Sequence, residues 1–161
     1  MRLALIVALS CLPFSLSRLA GHTRATPADA SAWTLDAIPW GERAADGSRF
    51  ALLEGERETA GQPFSYAFAI PAGLWDGPHS HSTTARIFVA KGVLRLGYGS
   101  KMDRAKAKAY PAGSYLVVPA GAAHFDGSDE DTVILGVATG PWSTRYVDAS
   151  AKGSAGTPPP Q

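Results

Sequence analysis

The chain has 161 residues, enough for one domain with short extensions. Its 15 Lys and Arg nearly balance 14 Asp and Glu, so no field of one sign argues for nucleic acid or an anionic membrane surface. Seventeen Gly and 12 Pro favour turns and short strands over long helices.

The chain opens MRLALIVALSCLPFSLS, a basic Arg2 followed by an apolar run that Pro13 interrupts. That run is too short to span a bilayer and small residues follow it, the pattern of a secretory signal. Ser15-Leu16-Ser17 and Ala28-Asp29-Ala30 both qualify as cleavage sites, and an uncleaved N-terminal anchor is the competing reading. Export to the periplasm or beyond is the expectation, with no membrane span once the signal is removed. The only cysteine, Cys11, falls inside this leader, where Ala8-Leu9-Ser10 fits a lipobox poorly. The mature chain would then have no thiol, so a transition metal must be held by nitrogen and oxygen.

Residues 18 to 32 are small, polar and aperiodic, completing a leader and spacer over 1–32. FALLEGE (50–56) and FSYAFAIPAG (64–73) read as strands, the second alternating Phe64, Tyr66, Phe68 and Ile70 with small residues. ARIFVAKG and VLRLGYG (85–99) make a strand, a turn at Lys91-Gly92 and a second strand, and SKMDRAKAKAY (100–110) reads as a solvated hairpin loop. SYLVVPAG, TVILGVATG and GPWSTRYV supply the last strands, and AKGSAGTPPPQ has the composition of a disordered tail over 149–161. About seven short strands without an amphipathic helix predict an all-β domain over 33–148, an antiparallel sandwich or barrel whose inward side chains can converge at its mouth.

Chemistry concentrates in the histidines. His22 falls in the leader or spacer and is set aside; His79, His81 and His124 remain. In an extended stretch, residues i and i+2 face one side, so His79 and His81 can aim both imidazoles at one point. His124 follows a turn at Pro119-Ala120-Gly121. Three neutral imidazoles meeting at one point suit iron, manganese, nickel, copper or zinc. A bare H-x-H is a weak signal, equally read as exposed polar residues at a loop edge.

The second segment adds weight: Gly113, Pro119, Gly121 and His124 complete the pattern G-x5-P-x-G-x2-H, while Gly77, His79, His81 and Gly92 stand at the spacing of a first motif around H-x-H. The chain thereby resembles the cupin superfamily from about Trp33 to Val147, closest to small single-domain RmlC-like members. Pro71-Ala72-Gly73, Leu96-Gly97-Tyr98-Gly99, Gly140-Pro141-Trp142 and Tyr146-Val147 match such members too. The resemblance implies a jelly-roll barrel of the cupin type, a divalent metal on the three histidines, and frequent homodimers.

One departure stands out: where the resemblance implies a glutamate ligand, this chain has Ala85. Thr84 is a poor ligand, and strand alternation turns Arg86 away. Three neutral ligands leave the ion its full charge and an open position, favouring an anionic substrate oxygen. Losing the anionic ligand equally weakens the site, as in a binding protein that no longer needs metal. Some cupin dioxygenases work with three histidines and no glutamate. Asp126, two residues past His124, can face the same side and act in or behind the coordination sphere, with a solvated turn in FDGSDED as the competing reading.

Trp75, Phe88, Tyr98, Tyr115 and Phe125 are candidates for a pocket lining, with barrel packing as the competing reading. Arg95 and Arg145 are candidates for holding a carboxylate substrate, against ordinary exposure. Serine-hydrolase and nucleotide-binding fingerprints are absent from the sequence. With the three histidines committed to metal, no general base remains and the catalytic residues stay unassigned. The expectation is an exported cupin that coordinates a small oxygen-rich ligand on one divalent ion, with dioxygenase-type chemistry permitted. The alternatives are a non-catalytic binding or sensing cupin and a barrel whose site is dead.

Overall fold

The computed structural model of the protein describes residues 31–148. The leader, nearly all of the spacer, and the tail, with the candidate cleavage sites, Cys11 and His22, lie outside the described residues.

Ten strands follow one another: β1 (Arg49–Gly55), β2 (Pro63–Ile70), β3 (Trp75–His81), β4 (Ala85–Lys91), β5 (Val93–Tyr98), β6 (Lys108–Pro111), β7 (Tyr115–Val118), β8 (His124–Gly127), β9 (Thr132–Thr139) and β10 (Thr144–Tyr146). Two single-turn 3-10 helices, Leu35–Ala37 and Arg104–Lys106, are the only helical segments among the described residues, and neither is long enough to cross a membrane. The strands pair antiparallel into two five-stranded sheets, in the orders β1-β2-β9-β4-β7 and β10-β3-β8-β5-β6. The all-β expectation holds.

The strands with clear two-residue periodicity are the ones the sequence announces. β4 buries Ala85, Ile87 and Val89 and exposes Arg86 and Phe88; β9 buries Thr132, Ile134, Gly136 and Ala138. Of these, Ala85, Ile87, Val89 and Ile134 join Leu94, Leu96, Leu116 and Val118 in the core between the sheets, each large aliphatic side chain contributing about 1.5–3 kcal/mol by leaving water. The strands not foreseen, β6 and β8, together with the conditional β3, are short or carry polar residues on the inward face, which erases the hydrophobic alternation. The charged segment 100–110 is accordingly a loop only as far as Ala107; β6 then pairs with β5, Tyr110 opposite Leu94.

The first sheet is covered on its outer face too. Ala51 and Ala67 pack there against Ile38, with Trp40, Leu53, Val133 and Leu135 at the margin. The turn between β4 and β5 needs glycine: Gly92 has φ +73°, and a Cβ there would collide with Thr132.

Candidate metal centre and ligand cavity

The three histidines converge because β3 and β8 are neighbours in the second sheet, with His79 directly opposite His124. His81 lies two residues further along β3, on the same face. One ligand atom from each lies within 4.8 Å of the others, with ring centroids 4.3 Å apart for His79–His124, 4.9 Å for His79–His81 and 5.0 Å for His81–His124. His79 and His124 are buried, at 3% and 2% exposure.

The ring orientations suit metal binding. His79 Nδ1 donates to the Gly77 carbonyl at 2.7 Å and His124 Nδ1 to the Ala122 carbonyl at 2.9 Å. A proton on Nδ1 leaves the Nε2 lone pair free, the tautomer a metal requires. His81 Nδ1 lies 3.2 Å from the Thr144 hydroxyl, supplied by β10 where Thr144 opposes His81. Burial, and then the like charge of neighbouring His79 and His124, drives the His81 pKa far below its usual value; burial also lowers that of His124, against the pull of Asp126. His81 and His124 are therefore neutral at physiological pH and compete for metal without first shedding protons.

Ala85, where a glutamate was implied, is fully buried in the apolar core on β4. Carboxylates reach the site from the histidines' own sheet instead. Asp126 on β8 places Oδ1 3.8 Å from His79 Nε2, and Asp76, His79 and Asp126 form a second close group of donors. Asp76 faces the site because of a bulge: Asp76 opposes Asp126 and His79 opposes His124, so three steps on β3 match two on β8. The extra residue lets positions 76 and 79 share a face, which plain alternation forbids. Asp76 Oδ2 accepts a hydrogen bond from the Tyr146 hydroxyl at 3.0 Å, while its Oδ1 is buried without a partner. Burial pushes the Asp76 carboxyl up to about 7, with nearby His79 pulling the other way; burial and then Asp76 raise the Tyr146 phenol.

A cavity of about 500 Å³ opens from this cluster between the sheets, a size suited to a small organic molecule. Its far wall is aromatic: Phe64, Tyr66 and Phe68 from β2, with Trp142 from the β9–β10 connection. Trp142 links wall and histidines, stacking on His81 at 4.3 Å and meeting Phe64 edge-on at 5.9 Å. Gly136 makes room for Tyr66, whose ring occupies the space a Cβ would take.

The sequence-level candidates divide. His79, His81, His124 and Asp126 meet in one place and line the cavity. Phe88 does not: it is 43% exposed on the outer face of the first sheet, in a shallow cleft with Tyr115. Tyr98 opposes His124 with its ring 6.3 Å away, yet it is 55% exposed and outside the lining. Phe125 is buried on the face of β8 opposite His124, against Gly97, and Trp75 lies under Arg104. Arg95 is paired with Asp129 at 2.7 Å and Arg145 is exposed. The true lining was visible in part as the alternation of β2, which marks a buried face without telling a cavity wall from a packed core. Asp76, Arg57 and Thr144 gave no signal, since each depends on a bulge or a neighbour distant in sequence.

Two antiparallel sheets enclosing a cavity lined by a histidine cluster define a cupin-type jelly roll whose donor set fits a divalent metal. The chain belongs to the ChrR cupin-like domain family, whose model matches residues 29–143. No curated protein matches the chain. Among solved structures it is similar to the polyketide cyclase RemF of Streptomyces resistomycificus, at 17% identity over 77% of this chain and 89% of that one, with a TM-score of 0.60. A conserved protein with a double-stranded β-helix domain from Klebsiella pneumoniae aligns at 10% identity over 73% and 98% of the two chains, TM-score 0.56. A chain in the crystal structure of Rhodobacter sphaeroides SigE with the anti-sigma ChrR aligns at 21% identity and TM-score 0.50, over 66% of this chain but 52% of that one. At these identities the likeness shows the fold.

Proposed function

We propose that the protein binds one divalent transition metal through His79, His81 and His124 and presents it to a small oxygen-rich molecule in the adjoining cavity. The observation that carries this reading is the convergence of three imidazoles, two with Nδ1 committed to backbone carbonyls, in the lining of a cavity of about 500 Å³. Bound there, the ion would supply Lewis acidity or a site for dioxygen, so dioxygenase-type chemistry is open to the protein. The chain's residues contribute the rest. Asp126 adds an anionic donor beside His79 in place of the missing glutamate, and Tyr146 and Thr144 hold Asp76 and His81 in position.

The second reading is a sensor in which ligand or metal occupancy is reported rather than turned over. What supports it is the family match to the ChrR cupin-like domain and the likeness to a chain in a structure of an anti-sigma with its sigma factor. Export belongs to the proposal through the apolar leader after Arg2, and a homodimer through the cupin resemblance.

The test is the metal content of purified protein compared with His124→Ala. About one equivalent of metal per chain, lost in the variant, supports the site; a chain that stays metal-free after loading overturns it. Turnover of diketones or phenolic acids by the loaded protein, lost with His124, separates the enzyme from the sensor.

A further inference from the structure

The cavity contains a cation that the metal reading leaves unused. Arg57, in the loop between β1 and β2, lines the same cavity as the histidines. Its Nε is buried without a hydrogen-bond partner, and the ion pairs among the described residues involve other groups. Its guanidinium lies over the Phe50 ring, 5.3 Å from the centroid, and Phe50 stacks on Tyr66 at 5.8 Å. The acidic neighbour in sequence, Glu58, is exposed. A buried, unsatisfied guanidinium N–H is costly unless something polar meets it.

The arginine is also held in place. Trp142 N donates to the Arg57 carbonyl at 3.0 Å, Gly140 N to Gln62 O at 2.9 Å and Gly61 N to Gly140 O at 3.0 Å, tying the β1–β2 loop to the β9–β10 connection. Arg57 and Trp142 are therefore carried on one braced unit, with Trp142 stacked on His81. Burial lowers the guanidinium pKa, as expected of a poorly solvated cation.

We infer that Arg57 is the anion anchor of the cavity, and that the ligand is a small carboxylic acid with a planar apolar body. The carboxylate pairs with Arg57, the body lies along Tyr66 and Trp142, and the opposite end reaches the histidine cluster. Guanidinium suits this role because its planar fork matches a carboxylate, and the aromatic wall suits a flat unsaturated body. Oxygens alone would not need four aromatic rings; a hydrocarbon alone would leave Arg57 unsatisfied. The inference rests on the proposed reading of the cavity as a ligand site, but not on the identity of the metal.

The test uses 2-naphthoate and its neutral isostere 2-naphthamide, titrated calorimetrically into metal-free and metal-loaded protein, with metal content measured in parallel. Wild-type protein is expected to bind the acid at least about 10-fold more tightly than the amide, as a charge-assisted hydrogen bond provides. Arg57→Met should abolish that preference while metal stoichiometry and the weak amide affinity remain; Arg57→Lys, keeping the charge, should retain most of it. Equal affinities in the wild type, or no saturable binding of the acid, would overturn the inference. So would a preference that survives in Arg57→Met and disappears on metal removal, which would place the carboxylate on the metal. An Arg57-dependent preference in a protein that never takes up metal would sink the metal reading and leave this one standing.

Discussion

The two sheets face the same cavity with opposite chemistry. The first presents Phe64, Tyr66, Phe68, Ile70, Ile87 and Ile134; the second presents Asp76, His79, His81, His124 and Asp126 around the Leu96 end of its own core. The apolar sheet pairs its longest strands, β2 and β9, residue for residue without a register shift, whereas the polar one sets its histidines on a bulged strand and a four-residue strand. The contrast shows a division of labour. Regular pairing in one sheet supplies the burial that holds the fold, and the other can therefore tolerate buried imidazoles and carboxylates whose desolvation would destabilise a free-standing sheet.

That contrast can be broken most severely at the polar sheet. His124→Ala should weaken metal binding by at least about 100-fold, because two imidazoles rarely hold a divalent ion against water. It should also remove the metal-induced rise in Tm that a ligand specific to the folded state produces; competition with a chromogenic chelator and thermal melts check both. At the apolar sheet the corresponding break is one of packing. Gly136→Ala places a methyl group where the Tyr66 ring lies, and should cost about 1–3 kcal/mol in denaturant unfolding while metal stoichiometry stays unchanged.

A smaller effect sharpens the contrast at the support of His81. Thr144→Val removes the hydroxyl 3.2 Å from His81 Nδ1, and metal affinity should fall by about 10-fold with little change in apo stability. For Asp76 the pH dependence carries the test. Its carboxyl titrates near 7 in the folded protein against an ordinary value of 3.8, so the native state holds a proton that the unfolded chain has released between those limits. The stabilising contribution is complete below about pH 4 and is lost as pH rises through about 7. In metal-free protein Asp76→Asn, always neutral, should therefore exceed the wild type in Tm clearly at pH 8 and match it near pH 4; an offset independent of pH would refute the burial account. Phe88→Ser, on the outer face of the apolar sheet, should change stability by about 0.5 kcal/mol or less and leave metal and ligand binding intact; a loss of ligand affinity would mean that the outer face contributes to the cavity.

The legibility of the sequence follows the same division. The Phe64, Tyr66, Phe68 and Ile70 alternation and the Ala85, Ile87 and Val89 alternation were readable because a two-residue period is a local property of an extended chain. The placement of His79, His81 and His124 together was anticipated through motif spacing, and the structure sets them on adjacent strands. Phe88 and Tyr98, candidates for the pocket with barrel packing as the competing reading, lie outside the lining, and an aromatic side chain looks the same in sequence on either face of a strand; only Arg86 and Phe88 sharing the exposed parity of β4 shows which face is which.

The sequence by itself determined the all-β class, the strand pattern of the apolar sheet and the histidine set, since each is written in spacings of a few residues. Tertiary structure alone decided that a bulge turns Asp76 toward His79, that Asp126 stands beside His79 while Ala85 joins the core, and that Arg57 enters the cavity beside Trp142. The physical reason is range: periodicity and turn chemistry act between near neighbours, whereas register shifts, cavity walls and buried charges are settled by partners brought together from distant parts of the chain.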